Sequence, residues 1–174
     1  IDNSKKILSE FKDFEKIKLI FLKKNMGAAF SRNLGLRVAN SKFIAFLDSD
    51  DYWTKNKLSD QIGEMKEKDL DFTYTDYTPF VLKNNIKKFN KYVSPKDSYS
   101  FLEYINDTSI ATSSMIIKKS LISTIKFPRI KSFEDYPFKC KILQLGHKAF
   151  KTKQNSMYYR ITKNTLSSNK LKNL

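Results

Sequence analysis

The sequence holds a single cysteine, Cys140, and a single histidine, His147. A lone thiol excludes a disulfide framework and fits a reducing compartment. One Cys and one His cannot complete a structural zinc site, which takes four such ligands. His147, between Gly146 and Lys148-Ala149-Phe150, reads as a turn residue before a strand. No apolar run approaches the ~18 residues of a membrane-spanning helix, and the N-terminus has no signal-peptide pattern. A soluble, cytoplasmic protein is expected. No repeat or low-complexity linker divides the 174 residues, whose 40% hydrophobic content suffices for one core, so a single domain is expected over 1–174.

Acidic residues are also scarce. Against 33 Lys and Arg stand 18 Asp and Glu, a net charge of +15. Residues 118–174 hold 14 of the basic residues and only Glu134 and Asp135, a net of +12, whereas residues 1–117 have a net of +3. Such an excess suits anionic lipid headgroups, a phosphorylated substrate or nucleic acid, and plainly solvated lysines are the alternative. Nucleic acid is disfavoured, because no reading helix or aromatic stacking motif accompanies the lysines.

What is present centres on Phe43-Ile44-Ala45-Phe46-Leu47 and the Asp48-Ser49-Asp50-Asp51 that follows. Five successive apolar residues predict a short strand buried on both faces. Ligands gather at the C-terminal ends of strands in open α/β sheets. Asp-x-Asp offers hard oxygen ligands to Mg²⁺ or Mn²⁺ and leaves positions for water and phosphate. Asp and Ser are equally turn formers, so a plain loop competes with that reading. An EF-hand beginning at Asp48 is excluded: Trp53 and Ser59 stand where Gly and Glu are required.

Around this stretch the pattern predicts helices over 3–15, 27–40, 56–68, 98–105 and 134–145, the last stopped by Gly146. Strands are predicted over 17–22, 43–47, 71–74, 110–117 and 148–159, with a hairpin or excursion over 77–97 and a lysine-rich tail. Alternating helices and strands imply a mostly parallel sheet with crossover helices. A chain that opens on a crossover helix is expected to begin inside a larger domain.

Two further groups carry chemistry. Asn25-Met26-Gly27 through Arg32-Asn33-Leu34-Gly35 lies between a strand and a helix, where Gly27 permits a tight turn and Arg32 presents a charged fork to a phosphate or base. Capping and packing are the alternative. Glu134-Asp135 opens the late helix, where a carboxylate either interacts favourably with the helix dipole or serves as a general base toward a hydroxyl.

In combination, Asn25, Gly27, Arg32, Asn33 and Gly35, then Asp48 to Asp51 with Trp53, then Glu134-Asp135 and Tyr159-Arg160, resemble family 2 of the nucleotide-sugar glycosyltransferases, with the GT-A fold. The resemblance runs over roughly residues 2–168. It implies an α/β, Rossmann-like sheet flanked by helices, with a nucleotide-binding half over 1–76 and an acceptor-side half over 77–174, and inverting transfer of a sugar from a nucleotide donor, a UDP-sugar first, to a glycan or lipid-linked acceptor in surface polysaccharide or lipooligosaccharide synthesis. Mn²⁺ or Mg²⁺ is implied as cofactor. Asp50 and Asp48 are then the metal residues; Asn25, Gly27, Arg32, Asn33, Asp48 and Ser49 seat the nucleotide; Asp51, Trp53 and Glu134 border sugar or acceptor; Asp135 is the base. Two departures stand out. The family's opening strand and the acidic segment after its second strand are absent, and Thr162 replaces a histidine that often follows the Tyr-Arg pair. The competing reading is therefore a truncated, inactive remnant that binds glycan, lipid or nucleic acid through its basic surface. Peripheral association with the inner face of the membrane, and a second copy covering an exposed sheet edge, are the further expectations.

Overall fold

A computed structural model describes residues 3–162, apart from the side chains of 153–155, and the lysine-rich tail lies outside the described residues. The elements in order are α1 (Ser4–Ser9), α2 (Gly27–Val38), β1 (Phe43–Ala45), β2 (Tyr52–Trp53), α3 (Lys57–Glu67), β3 (Phe72–Lys83), β4 (Ile86–Phe89), β5 (Ser98–Tyr99), α4 (Phe101–Asn106), β6 (Ile116–Lys118), α5 (Asp135–Gln144) and β7 (Ala149–Arg160). Short 3₁₀ turns occupy Thr112–Ser114 and Lys119–Ile122.

The strands form one sheet in the order β1-β6-β3-β7-β2, with β4 added to β3 and β5 to β7. The α/β class is as expected, but the sheet is mixed. Among the described residues only β3 and β7 pair in parallel, and the other pairings are antiparallel. The reason is local: β1 hydrogen-bonds to β6 alone, and the segment expected to run parallel in this region forms no ladder. Residues 17–22 form no regular element and pair with no strand among the described residues, and Ile17, Ile20, Phe21 and Leu22 are 39–47% exposed. Apolar β-formers favour extended backbone, but a strand exists only where a neighbour takes its N–H and C=O groups.

The same absence of a covering layer shortens the first helix. Ile7, Leu8, Phe11 and Phe14 recur at helical spacing, yet all are exposed and α1 stops at Ser9. A six-residue helix with no buried face has little beyond weak propensity to hold it. In β1, Ile44 and Phe46 are buried while Ala45 and Leu47 are exposed, so the five-residue apolar run is covered on one face only.

Elsewhere local signals are obeyed. The β3–β4 hairpin turns on Asn84 and Asn85, both at positive φ, as a two-residue turn of right-handed twist requires. Ser100 and Glu103 form a capping box that fixes the start of α4. Gly146, at φ +93°, ends α5 and turns the chain into β7, with His147 in the connection. The expected boundary between halves at residue 76 falls inside β3, which pairs with β7 on both sides of it.

The core lies between the sheet and α2, α4 and α5. At its centre Phe127 and Phe138 stack with centroids 3.8 Å apart, and Phe46 meets both edge-on at 5.5 and 6.1 Å. Phe46 precedes Asp48 by two residues and Phe138 follows Asp135 by three. The aromatic trio therefore anchors the Asp48–Asp51 turn against the start of α5.

Candidate active site

The Asp48–Asp51 turn leaves the C-terminal end of β1. Arg32, one turn into α2, reaches it: Arg32 Nη2 lies 2.6 Å from Asp48 Oδ1, while Nη1 bonds Glu134 Oε1. A guanidinium fork thus ties the turn to the residue before α5. Its plane also rests over the Phe127 ring, at 5.4 Å.

A second set of bonds converges on the Thr112–Ser114 turn. The Asp48 N–H donates to Ser113 Oγ (3.0 Å), and Ser113 Oγ donates to Asp51 Oδ2 (2.6 Å). The Trp53 indole N–H donates to the Ser113 carbonyl (2.7 Å), and Gln61 on α3 donates to the Ser114 carbonyl (3.2 Å). Thr112 Oγ1 donates to Asp135 Oδ2 (2.9 Å). One three-residue turn therefore holds the aspartate turn and the first residue of α5 together.

The carboxylates differ in their surroundings. Asp51 is 8% exposed, accepts from Ser113 and from the Arg160 N–H (2.9 Å), and is pushed up to about 6 by burial, against those two bonds. Through these bonds Asp51, expected to border sugar or acceptor, staples the turn to β7. For Asp135, burial raises the pKa, but the Lys139 ammonium at 2.7 Å, the Thr112 hydroxyl and the charge of Arg32 outweigh it, and the group is held at about 2. Both of those bonds fall on Oδ2. Asp50 is half-buried and makes no hydrogen bond or ion pair among the described residues.

The remaining expected residues have mostly structural bonds. Asn25 Oδ1 accepts from the Gly27 N–H (2.8 Å), and Gly27 takes φ +81°, the turn its position demanded. Asn33, expected to seat a nucleotide, clamps the Phe127 backbone at both N–H and C=O, at 2.9 and 2.8 Å. Glu134, expected to border sugar or acceptor, is 7% exposed and paired with Arg32. Ser49 and Gly35 are exposed. Tyr159 and Arg160 lie on β7, and the Arg160 backbone is the part that reaches the site.

Several site residues were not anticipated. Thr112 and Ser113 carry no motif. Lys139 stands four residues after Asp135 on a helix, a spacing that signals an ion pair. Phe133 takes a left-handed φ of 61° just before Glu134, a conformation a bulky side chain adopts only when its surroundings compel it.

A family model described as Glycosyl transferase family 2 matches residues 1–126. The chain belongs to glycosyl transferase family 2. It is 36% identical over 176 residues to the Escherichia coli UDP-Glc:α-D-GlcNAc-diphosphoundecaprenol β-1,3-glucosyltransferase WfaP, covering 99% of this chain and 66% of WfaP. To the Escherichia coli enzyme WfgD, of the same description, it is 33% identical over 174 residues, covering 99% of this chain and 66% of WfgD. The chain thus spans about two thirds of the length of these relatives. Its fold is that of S. aureus TarS 1–349 in complex with UDP-GlcNAc, with a TM-score of 0.74 at 21% identity over 96% of this chain and 48% of TarS. This glycosyl transferase family 2 chain therefore has a GT-A fold. Among its described residues no helix is long and apolar enough to cross a membrane.

Proposed function

We propose that the chain carries the donor-binding and catalytic part of an inverting glycosyltransferase, which moves a sugar from a nucleoside diphosphate to an acceptor hydroxyl. The observation that supports this most is the Arg32 fork, which brings the Asp48–Asp51 turn and the Glu134-Asp135 pair to one place, while Asp50 makes no hydrogen bond or ion pair among the described residues. A partly exposed aspartate near a strand's C-terminal end, with its carboxylate uncommitted among those residues, is suited to hold a cation.

The donor set suits a hard divalent ion. Asp50 offers its carboxylate, whereas Asp48 Oδ1 is already taken by Arg32. No group of three or more His, Cys, Asp and Glu suited to a metal occurs among the described residues. A Mn²⁺ or Mg²⁺ ion that takes one or two carboxylates and completes its shell with water and phosphate oxygens fits; an all-protein cage does not. When bound, such an ion neutralises the charge that builds on the departing diphosphate.

The chain's own residues do the rest. Asp135 is held ionised through the whole neutral range and accepts the proton of the acceptor hydroxyl as its oxygen attacks the anomeric carbon. The bond from that carbon to the diphosphate breaks, and its electron pair leaves with the nucleotide. Thr112 and Lys139 fix the carboxylate from one side, through Oδ2. Arg32 keeps Asp48 and Glu134 from repelling each other.

WfaP acts from UDP-Glc on a diphosphoundecaprenol-linked sugar, and the TarS complex holds UDP-GlcNAc. A UDP-sugar donor and a lipid-linked acceptor are therefore proposed for this chain, in surface glycan synthesis, with exposed basic residues such as Lys126, Arg129 and Lys131 attracted to an anionic membrane. The test is transfer from labelled UDP-sugars to a lipid-linked acceptor. Transfer is expected with Mn²⁺ or Mg²⁺ and is lost, with donor binding retained, in Asp135→Asn. Normal transfer by Asp135→Asn would remove the base from the proposal.

A further inference from the structure

Lys57 opens α3 with its side chain almost fully buried, at 1% exposure. Its ammonium has no hydrogen-bond partner among the described residues, and burial pushes its pKa down to about 7. Among the described residues its ammonium lies over the Trp53 ring, with Nζ 4.3 Å from the centroid. Burying an unpaired amine is costly, and a hydrocarbon side chain of the same length would fill the space without that cost. The packing of α3 on the sheet gives no reason for a cation there. Trp53 does, because a desolvated cation on an indole face fixes the ring.

The ring's other attachment leads into the site. The Trp53 indole N–H holds the Ser113 carbonyl, and the Thr112–Ser114 turn in turn bonds the Asp48 backbone, Asp51 and Asp135. One turn further along α3, Gln61 grips the same segment at the Ser114 carbonyl. The first two turns of α3 therefore hold this hub twice, once directly and once through the lysine–tryptophan pair.

We propose that Lys57 is a positioning residue for the donor site: its ammonium, resting on the Trp53 indole, keeps the indole N–H on Ser113 and so holds the turn that orients Asp48, Asp51 and Asp135. Its bearing on donor binding rests on the reading given under Proposed function, and the link from Lys57 to Trp53 and Ser113 does not.

Trp53 is the sole tryptophan, so its indole N–H gives a single, unambiguous resonance. In Lys57→Met that resonance should shift and its hydrogen exchange should quicken about tenfold, in line with losing one desolvated cation–π contact. The melting temperature should hold or rise, since an unpaired buried amine is gone. UDP binding in the presence of Mn²⁺ should weaken by about the same factor, and Lys57→Arg, which keeps the cation, should recover it. Lys57→Gln is the second variant, polar but uncharged, and should behave as Met does even if Met perturbs folding. An indole N–H as protected in the folded Met or Gln variant as in the wild type overturns the link from Lys57. Unchanged UDP affinity in a variant whose indole is loosened overturns the positioning role. A wild-type chain that binds no nucleoside diphosphate overturns the donor-site reading instead, while the indole exchange still decides the link.

Discussion

Arg32 and Asp48, sixteen residues apart in sequence, meet at 2.6 Å, and the other arm of the same guanidinium holds Glu134. The pairing converts two neighbouring carboxylates from a repulsive pair into a clamp between the aspartate turn and α5. Glu134 and Arg32 are largely buried while Asp48 is about a third exposed, so most of the clamp's strength lies on the Glu134 side.

Removing the clamp should be expensive. Arg32→Ala leaves Glu134 buried without a partner and is expected to cost about 2–4 kcal/mol, the lower part of the range for breaking a buried pair because Asp48 is hydrated. Urea unfolding followed by Trp53 fluorescence measures it. A loss under about 0.5 kcal/mol, the scale of an ordinary surface change, would mean the fork is ornamental.

Asn33, expected to contact a nucleotide, has its side chain committed to the Phe127 backbone by two bonds. Asn33→Ala should therefore lower stability by about 1–3 kcal/mol while leaving nucleotide affinity within about twofold. Paired unfolding and titration experiments separate the two effects. A large loss of affinity at unchanged stability would restore the nucleotide-binding role.

The raised pKa of Asp51 has a defined consequence for pH. Its folded pKa, about 6, lies above the ordinary 3.8, so the folded state holds the extra proton between those values. The contribution to stability is present below pH 3.8 and is lost as pH rises through 6. Asp51→Asn, which keeps an acceptor for the Arg160 N–H, should remove that loss. The variant should gain on the wild type by about 2–3 kcal/mol between pH 4 and pH 7. Parallel stability curves for the two proteins would contradict the placement of Asp51 in the protein interior.

Asp135 has the opposite sign. Its folded pKa, about 2, lies below 3.8, so its contribution is present above 3.8 and is lost as pH falls through 2. Lys139→Met removes the main cause of the depression. Between pH 4 and pH 2 the wild type should lose about 1–2 kcal/mol more than the variant, after allowance for the partial exposure of Asp135. Equal losses would show that Lys139 does not hold the carboxylate.

Much of this arrangement was legible in the residues. Asp48 to Asp51 after an apolar strand, Gly27 at a turn, Arg32 one turn into a helix and Glu134-Asp135 at a helix start all lie in the elements expected of them. What escaped had tertiary causes. A 17–22 strand was indicated by composition, yet a strand needs a neighbour, and β1 offers its ladder to β6 alone. The antiparallel pairing of β1 with β6 joins residues some seventy apart, which no local pattern encodes. The bonds that Asp51, Asn33 and Glu134 make were not legible, because their partners, Ser113, the Phe127 backbone and Arg32, lie far away in sequence. The Thr112–Ser114 hub left no trace, since hydroxyl residues in a short turn look the same whether or not carboxylates gather on them.

The central claim is that Asp50 and its surroundings form a metal-dependent donor site. Calorimetric titration of the chain with UDP, with Mn²⁺ and then with EDTA, repeated on Asp50→Ala, tests it most directly. Binding that requires the metal and disappears in Asp50→Ala is the predicted result. Binding of equal strength with EDTA or in the variant, or no binding of UDP or any other nucleoside diphosphate, would contradict it.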